Sequence, residues 1–467
     1  FFKQFGCTNP TLPLKEAGNI IQGNACRIDW GTVCPKKEGD EIYILGNPPY
    51  LGYAKQTYEQ KKDMEIVFAS VKEYKKLDYI ACWFYKGAIY IQGTNSKYAF
   101  VTTNSITQGE QVSLLWPLIF NRNLEIGFAY QSFKWKNNAK LNAGVTVTIV
   151  GIQNLSQDPK RLFSPNRILY VDRINGYLIN YKNIFIQGRN TCISDFPEMI
   201  IGSKVTDDGN LILSEEEKDQ IINKYPEATS LIKKYIGAEE FIKNKLRYCI
   251  LVDEKSRDFA YTIPPLRERF AKCEEFRKKS KKNATQRLAS TPYAFDELKY
   301  QETDSILIPQ TGSERREYLP IGFLSSEYVI SNAARVIYNA EPWLFGLISS
   351  KMHITWVKAV AGRLKMDMQY SNTLCYNNFP FPPISDQRKQ EITQCVFRIL
   401  EEREKHSEKT LSQLYDPDKM PEGLREAHRL NDLTIECSHR SKPFENDEER
   451  LEHLFKLYEK MSIKGQI

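Results

Sequence analysis

The sequence predicts an α/β protein in three parts: a mostly parallel sheet with helices on both faces, then an α+β region, then a helical end. Three observations carry this. Short apolar runs alternate with helix-period stretches up to about residue 160. From about Ser164 the pattern changes to short strands, turns and amphipathic helices, and beyond Pro383 charged helical periodicity takes over. The expected domains are 1–160, 161–383 and 384–467.

In chain order, Asn19-Ile20-Ile21-Gln22 reads as a short strand ending in Gly23-Asn24-Ala25, and Ile42-Tyr43-Ile44-Leu45 as a buried strand stopped by a double proline. Met64, Val67, Phe68, Val71 and Tyr74 recur at helical spacing between Gln60 and Lys76, and Asp78 to Ile91 reads as a second, more apolar helix. Tyr98 to Thr103 is a strand running into Asn104-Ser105, and Gln111 to Phe120 is a helix. Glu125 to Tyr130 and Val145 to Ile152 form a last strand pair suited to an antiparallel edge. This alternation is that of a Rossmann-like domain.

Further on, Ser214 to Lys224 opens like a helix capping box. Leu266 to Arg287 interleaves Arg267, Arg269, Lys272, Arg277, Lys278, Lys279, Lys281, Lys282 and Arg287 with Glu268, Glu274 and Glu275. It reads either as a phosphate-contacting stripe or as a solvated helix face. Asn377 to Pro383 predicts a rigid, extended exit, and Asp386 to Lys409 and Asn446 to Lys460 predict charged amphipathic helices.

With 41% hydrophobic and 26% charged residues, general disorder is excluded. The net charge of +7 suits a polyanionic partner without establishing one. Ten cysteines, never two residues apart, suggest neither a zinc ribbon nor a disulfide framework, and fit a reducing compartment. No apolar run is long enough to span a bilayer, so a cytoplasmic protein with no membrane partner is expected.

The stretch that bears on chemistry is Gly46-Asn47-Pro48-Pro49-Tyr50. In open α/β sheets, strand ends face the ligand crevice. The turn has two readings. It is an ordinary Pro-Pro exit from a strand, or it is an amine holder, in which the Asn47 side-chain oxygen and the Pro48 carbonyl, fixed by proline dihedrals, accept both hydrogens of an exocyclic amine. The amine lone pair would then point at an electrophilic methyl, while Tyr50 offers a face for stacking a purine. A duplex base reaches such a site only when flipped out of the stack.

Asn47-Pro48-Pro49-Tyr50 resembles the motif of amino-methyltransferases that use S-adenosylmethionine, and its surroundings are similar to the MmeI family of fused type II restriction-modification enzymes. The similar stretches are Gly23-Asn24-Ala25-Cys26-Arg27-Ile28-Asp29-Trp30, Asp78 to Lys86, Thr102 to Glu110 and Phe133-Lys134-Trp135. Ile201-Gly202-Ser203-Lys204, Asp207-Asp208-Gly209-Asn210 and Gly362-Arg363-Leu364-Lys365-Met366-Asp367 are similar to the family's target-recognition region.

The resemblance implies methyl transfer to N6 of a flipped adenine in double-stranded DNA. Asn47, Pro48, Pro49 and Tyr50 would be catalytic, Phe133 would contact the flipped base, and Asn24 and Ala25 would lie beside the adenine of the cofactor. The family's Gly-rich first motif and the acidic residue that holds the cofactor ribose have no counterpart here. The chain is therefore expected to be a C-terminal segment, its sheet and cofactor pocket incomplete, with the first strands and the nuclease belonging to a longer parent.

Arg363, Lys365 and Asp367 alternate, which on an extended segment places all three on one face. Lys suits guanine O6 and N7 while Asp accepts from cytosine N4, so Lys365 and Asp367 would read one G·C pair. A surface salt-bridged strand is the rival. Arg315, Arg316 and Arg335 are candidate phosphate contacts on charge alone. Two other functions remain open at this point: a sequence-specific DNA-binding module without catalysis, and a protein-glutamine methyltransferase.

Overall fold

Tyr43–Gly46 (β1) is followed by helices Tyr58–Val67 (α1) and Ala81–Ile91 (α2), strand Lys97–Thr103 (β2) and helix Glu110–Phe120 (α3). Four strands come next: Leu124–Trp135 (β3), Val145–Asn154 (β4), Lys160–Ser164 (β5) and Arg167–Val171 (β6). The computed structural model describes residues 20–135, 145–164, 167–364 and 367–464. The six strands make one sheet in the order β1-β2-β4-β3-β5-β6. β1 and β2 pair in parallel, as do β3 and β5, while β2–β4, β3–β4 and β5–β6 are antiparallel.

The sheet is thus mixed rather than mostly parallel. The β3–β4 pair lies inside it and not at its edge, because β4 inserts between β2 and β3. Edge-to-face contacts of Phe84 on α2 with Tyr98 and Phe100 on β2, and with Trp116 on α3, form the centre of the core. Gly87 permits this fit, since a Cβ there would lie 3.0 Å from the Tyr98 ring.

Three local expectations are corrected. Ile20 to Gln22 form no strand, and Asn19 lies outside the described residues. β1 is not buried: among the described residues it has no neighbour on its open side, so Tyr43 and Leu45 stand 58% and 76% exposed. The helix expected to reach Lys76 ends at Val67, because Phe68 turns inward to stack on Tyr74 and Tyr85.

The chain divides into two compact units, 1–107 with 111–185, and 108–110 with 186–467. The second contains two four-stranded sheets. One runs Tyr328–Ile330, Ile232–Ile236, Arg247–Ile250, Ile212–Leu213, and the other Gly322–Leu324, Ser305–Pro309, Ala334–Tyr338, Ile200–Ile201. Helix Glu215–Lys224 opens with the expected capping box of Ser214 and Glu217. Helices Pro264–Lys278 (α4), Asp386–Glu404 (α5), Glu422–His439 (α6) and Asp447–Lys464 (α7) are the longest of its helices, α5 packing on α6. Sequence periodicity located α5 and α7 but not α6. No helix among the described residues is long and apolar enough to cross a membrane.

A buried carboxylate joins α6 to a neighbouring helix and to a loop. Asp432 on α6 accepts from the Lys351 amide at 2.6 Å, at the start of helix Lys351–Val360, and from the Tyr318 hydroxyl at 2.8 Å. Burial pushes its carboxyl up to about 7. The folded state therefore holds this proton more tightly than the unfolded chain does. Its stabilising contribution is full below about pH 4 and is lost as pH rises towards 7. Asp432→Asn should flatten the dependence of unfolding free energy on pH between 4 and 7, by on the order of 2–4 kcal/mol relative to wild type. Urea titrations at several pH values measure it.

Candidate active site

All three strands that matter here end on the same edge of the sheet. β1 runs parallel to β2 with Gly46 opposite Phe100, and Thr103 on β2, Val147 on β4 and Phe133 on β3 fall in one cross-strand row. The turn Asn47-Pro48-Pro49-Tyr50, the Asn104-Ser105 turn and Phe133 thus stand at the same side of the sheet, where strand ends in such sheets face a ligand. Asn47 and Pro49 are exposed, Pro48 is buried and Tyr50 is half-buried. Asn104 is buried and its side-chain oxygen has no partner among the described residues. Phe133 lies beyond a register shift in β3, next to Tyr130, which stacks on Phe163 at 4.2 Å.

The turn is held by residues to which the sequence reading gave no role. The Leu51 amide donates to Asp78 Oδ1 at 2.9 Å, and the Leu51 carbonyl accepts from the Tyr79 amide at 3.0 Å and from Gln56 Nε2 at 3.2 Å. Asp78 also accepts from the Ile80 amide at 3.2 Å and from the Ser105 hydroxyl at 3.3 Å. Burial pushes the Asp78 carboxyl up, and these donors offset that only in part. An Asp three residues before an apolar helix is the available sequence signal, since short acidic side chains hold helix starts.

Asn24 is occupied internally. Its oxygen accepts from the Cys26 amide at 2.9 Å and its amide donates to Asp63 at 2.8 Å. Asp63 also receives the Tyr79 hydroxyl at 2.7 Å and Arg27 Nε at 2.6 Å. Burial raises the Asp63 carboxyl, but the bonds from Tyr79, Asn24 and Arg27 outweigh it and hold the group below its ordinary range.

Ala25 lines a groove of about 420 Å³ with Ile21, Ile28, Trp30, Leu45 and Tyr90. This lining contains no charged side chain. It fits a flat adenine ring, but not the carboxylate and ammonium end of S-adenosylmethionine.

The expected reading segment is not one extended strand. Gly362–Leu364 pairs antiparallel with Asp367–Gln369, Arg363 opposite Met368 and Leu364 opposite Asp367. Cross-strand partners share a face, so Arg363 and Asp367 point to opposite sides. Two short antiparallel strands satisfy each other's backbone more locally than an extended run would. Arg363 faces inward with buried Met368 and pairs with Glu314, while Asp367 is exposed. Lys365 lies outside the described residues.

Arg315 pairs with exposed Asp418, Arg316 is half-buried beside Ser412, and Arg335 is buried with Nε and Nη1 unpartnered among the described residues. On α4 the basic residues pair within the helix, Lys272 with Glu268, Lys278 with Glu274 and Lys279 with Glu275. Arg269 pairs with Glu217. The solvated-face reading of the basic stretch describes this helix better than the phosphate stripe.

The comparisons follow this layout. Residues 1–164 match the MmeI DNA-methyltransferase domain, 180–383 the MmeI target recognition domain and 384–464 the MmeI C-terminal domain. The chain belongs to the MmeI family. It is similar to DNA methyltransferase A of Bacillus subtilis (strain 168), 46% identical over 454 residues, which are 97% of this chain and 52% of that protein. It is also similar to the solved structure of the Type IIL restriction-modification enzyme MmeI in complex with DNA, with 37% identity and a TM-score of 0.89. That likeness covers 99% of this chain and 62% of the other. The chain thus spans about half to three-fifths of the length of these relatives.

Arg277 separates architecture from recognition within this family member. Wholly buried, it donates to the carbonyls of Val205, Thr206, Leu288, Thr291 and Ala294 at 2.8–3.0 Å. Arg277→Leu should orphan these acceptors and lower unfolding stability by about 3–5 kcal/mol. Arg277→Lys should recover only part, because one ammonium cannot span five carbonyls. Denaturant midpoints of the two variants test the claim.

Proposed function

We propose that this chain is the methyl-transferring and DNA-reading part of a restriction-modification enzyme that methylates N6 of a flipped adenine in double-stranded DNA. The observation that carries the reading is the Asn47-Pro48-Pro49-Tyr50 turn at the carboxyl end of β1, on the sheet edge shared with Phe133, in a chain of the MmeI family. Asn47 Oδ1 and the Pro48 carbonyl accept the two amine hydrogens and direct the nitrogen lone pair outward along one line. Positioning and stabilisation of the charge developing on that nitrogen supply the acceleration. Tyr50 stacks on the purine, and Phe133 meets it from its edge or other face.

S-adenosylmethionine supplies the electrophilic methyl. Ala25 and the apolar groove take its adenine, with Asn24 shaping the turn beneath, and the first strands of the parent hold the methionine end. That parent also carries the nuclease and acts in the bacterial cytoplasm with no membrane partner. The division of labour is transfer by 1–160, DNA reading by 161–383 and bracing by the helices of 384–467. Within the reading part, Lys365 and the outward Asp367 read one G·C pair, while Arg363 braces the strand pair from behind. The uncharged groove favours a second reading, in which this chain without its parent binds DNA but transfers nothing. A protein-glutamine methyltransferase has no use for a target recognition domain, so that reading is set aside.

In the full-length protein, Asn47→Ala should lower methyl transfer by at least about a thousandfold while DNA affinity changes less than about threefold. Tritium transfer and fluorescence anisotropy separate the two, and retained transfer would make the turn merely structural. Lys365→Glu with Asp367→Arg should move preference at one position from G towards C. Methylation of the original site at an undiminished rate would remove the base-reading assignment.

A further inference from the structure

Proline has no N–H, so Pro48 and Pro49 remove two of the amides by which the Asn47-to-Tyr50 turn could be fixed. The first amide after the turn, Leu51, is held at both ends: its N–H by Asp78 Oδ1 and its carbonyl by the Tyr79 amide and Gln56 Nε2. Gln56 also donates to the Leu77 carbonyl at 3.0 Å, and Gln111 accepts from the Asp78 amide at 2.9 Å. The Asp78 carboxylate reaches two further elements. Its Oδ1 receives the Ile80 amide at the start of α2, and its Oδ2 receives Ser105, whose hydroxyl lies 2.7 Å from Thr103 Oγ1 at the end of β2. One side chain, 5% exposed, therefore joins the exit of β1, the start of α2 and the exit of β2.

We infer that Asp78 is a positioning residue for methyl transfer: through the Leu51 amide it sets where the Asn47 oxygen and the Pro48 carbonyl stand, and through Ser105 it locks that position to the neighbouring strand end. The inference rests on the amine-holding role proposed for Asn47. A purely architectural Asp78 would explain the Ile80 bond, which is an ordinary helix-start contact. It would not explain why the same carboxylate is spent on the residue following the double proline and on a hydroxyl from another strand. Displacing acceptors by about an ångström from the reacting amine is enough to slow transfer by one to two orders of magnitude without weakening binding.

The test uses the full-length protein and three variants. Asp78→Ser keeps a cap for the Ile80 amide but is too short to reach Leu51. Asp78→Asn keeps one acceptor oxygen. Asn47→Ala is the reference. Single-turnover methyl transfer, measured well below each variant's lowered melting temperature, should fall about tenfold or more in Asp78→Ser and by less in Asp78→Asn, with DNA affinity close to wild type.

Amide hydrogen exchange should quicken over residues 47–52 and stay unchanged in β2. Transfer by Asp78→Ser within twofold of wild type, or unchanged exchange at 47–52, would overturn the inference. If Asp78→Ser does not fold, Asp78→Asn carries the same test, because loss of the charge alone should slow transfer and quicken exchange. Asn47→Ala with wild-type transfer would instead sink the underlying amine-holding role, whatever the Asp78 variants do.

Discussion

A buried carboxylate with three donors from three different elements is a demanding object. Ionised, Asp78 must be compensated by the amides of Leu51 and Ile80 and the Ser105 hydroxyl, and each such charge-assisted bond contributes about 1.5–3 kcal/mol where water is excluded. Leaving one donor unmade costs more than making it gains, so the carboxylate ties the three elements to one another. The edge on which the turn stands inherits this. β1 has only four residues and one described neighbour, and a strand so short has little register stability of its own. The turn it leads into is ordered by proline dihedrals from within and by Asp78, Tyr79 and Gln56 from behind.

That arrangement explains how much could be read from residues alone. Apolar runs and helix periods located β1 to β4 and α2 and α3 to within a few positions, because those patterns report which face is buried. The Ser214 capping box was legible because all its partners lie within three residues. The double proline was legible as a turn because proline acts locally. What failed depended on distant partners. The Phe68 stack that ends α1 involves Tyr85, and the insertion of β4 between β2 and β3 is a matter of topology, not of period. Arg277 looked like one of several basic side chains, yet its acceptors include carbonyls more than 70 residues away. Tyr318 and Asp432 meet across 114 residues. In the candidate site, Asn47 to Tyr50 and Phe133 could be named from their types and their family resemblance. Asp78, Gln56 and Ser105 could not be given a role, because their value lies in which backbone groups they reach.

The antiparallel pair Gly362–Leu364 and Asp367–Gln369 shows the same distinction between a residue type and its placement. Alternation along an extended segment would send Arg363 and Asp367 the same way, whereas antiparallel pairing sends them apart. The inward face is then a closed packing problem. Met368 is 2% exposed and Arg363 is neutralised by Glu314, so a change at either site disturbs the second unit's interior. The outward Asp367 is exposed, and the charge it bears on is the half-buried Arg316 guanidinium, which its carboxylate favours.

A reversal of charge at Asp367 removes a favourable neighbour of Arg316 but breaks no ion pair of the inward face, and the inward Arg363–Glu314 pair keeps the strand geometry constant. This is why the charge exchange proposed at Lys365 and Asp367 is an informative perturbation and the same exchange at Arg363 is not. The first acts on the exposed Asp367 and leaves the Arg363–Glu314 pair intact. The second would first have to unmake the support on which any reading depends.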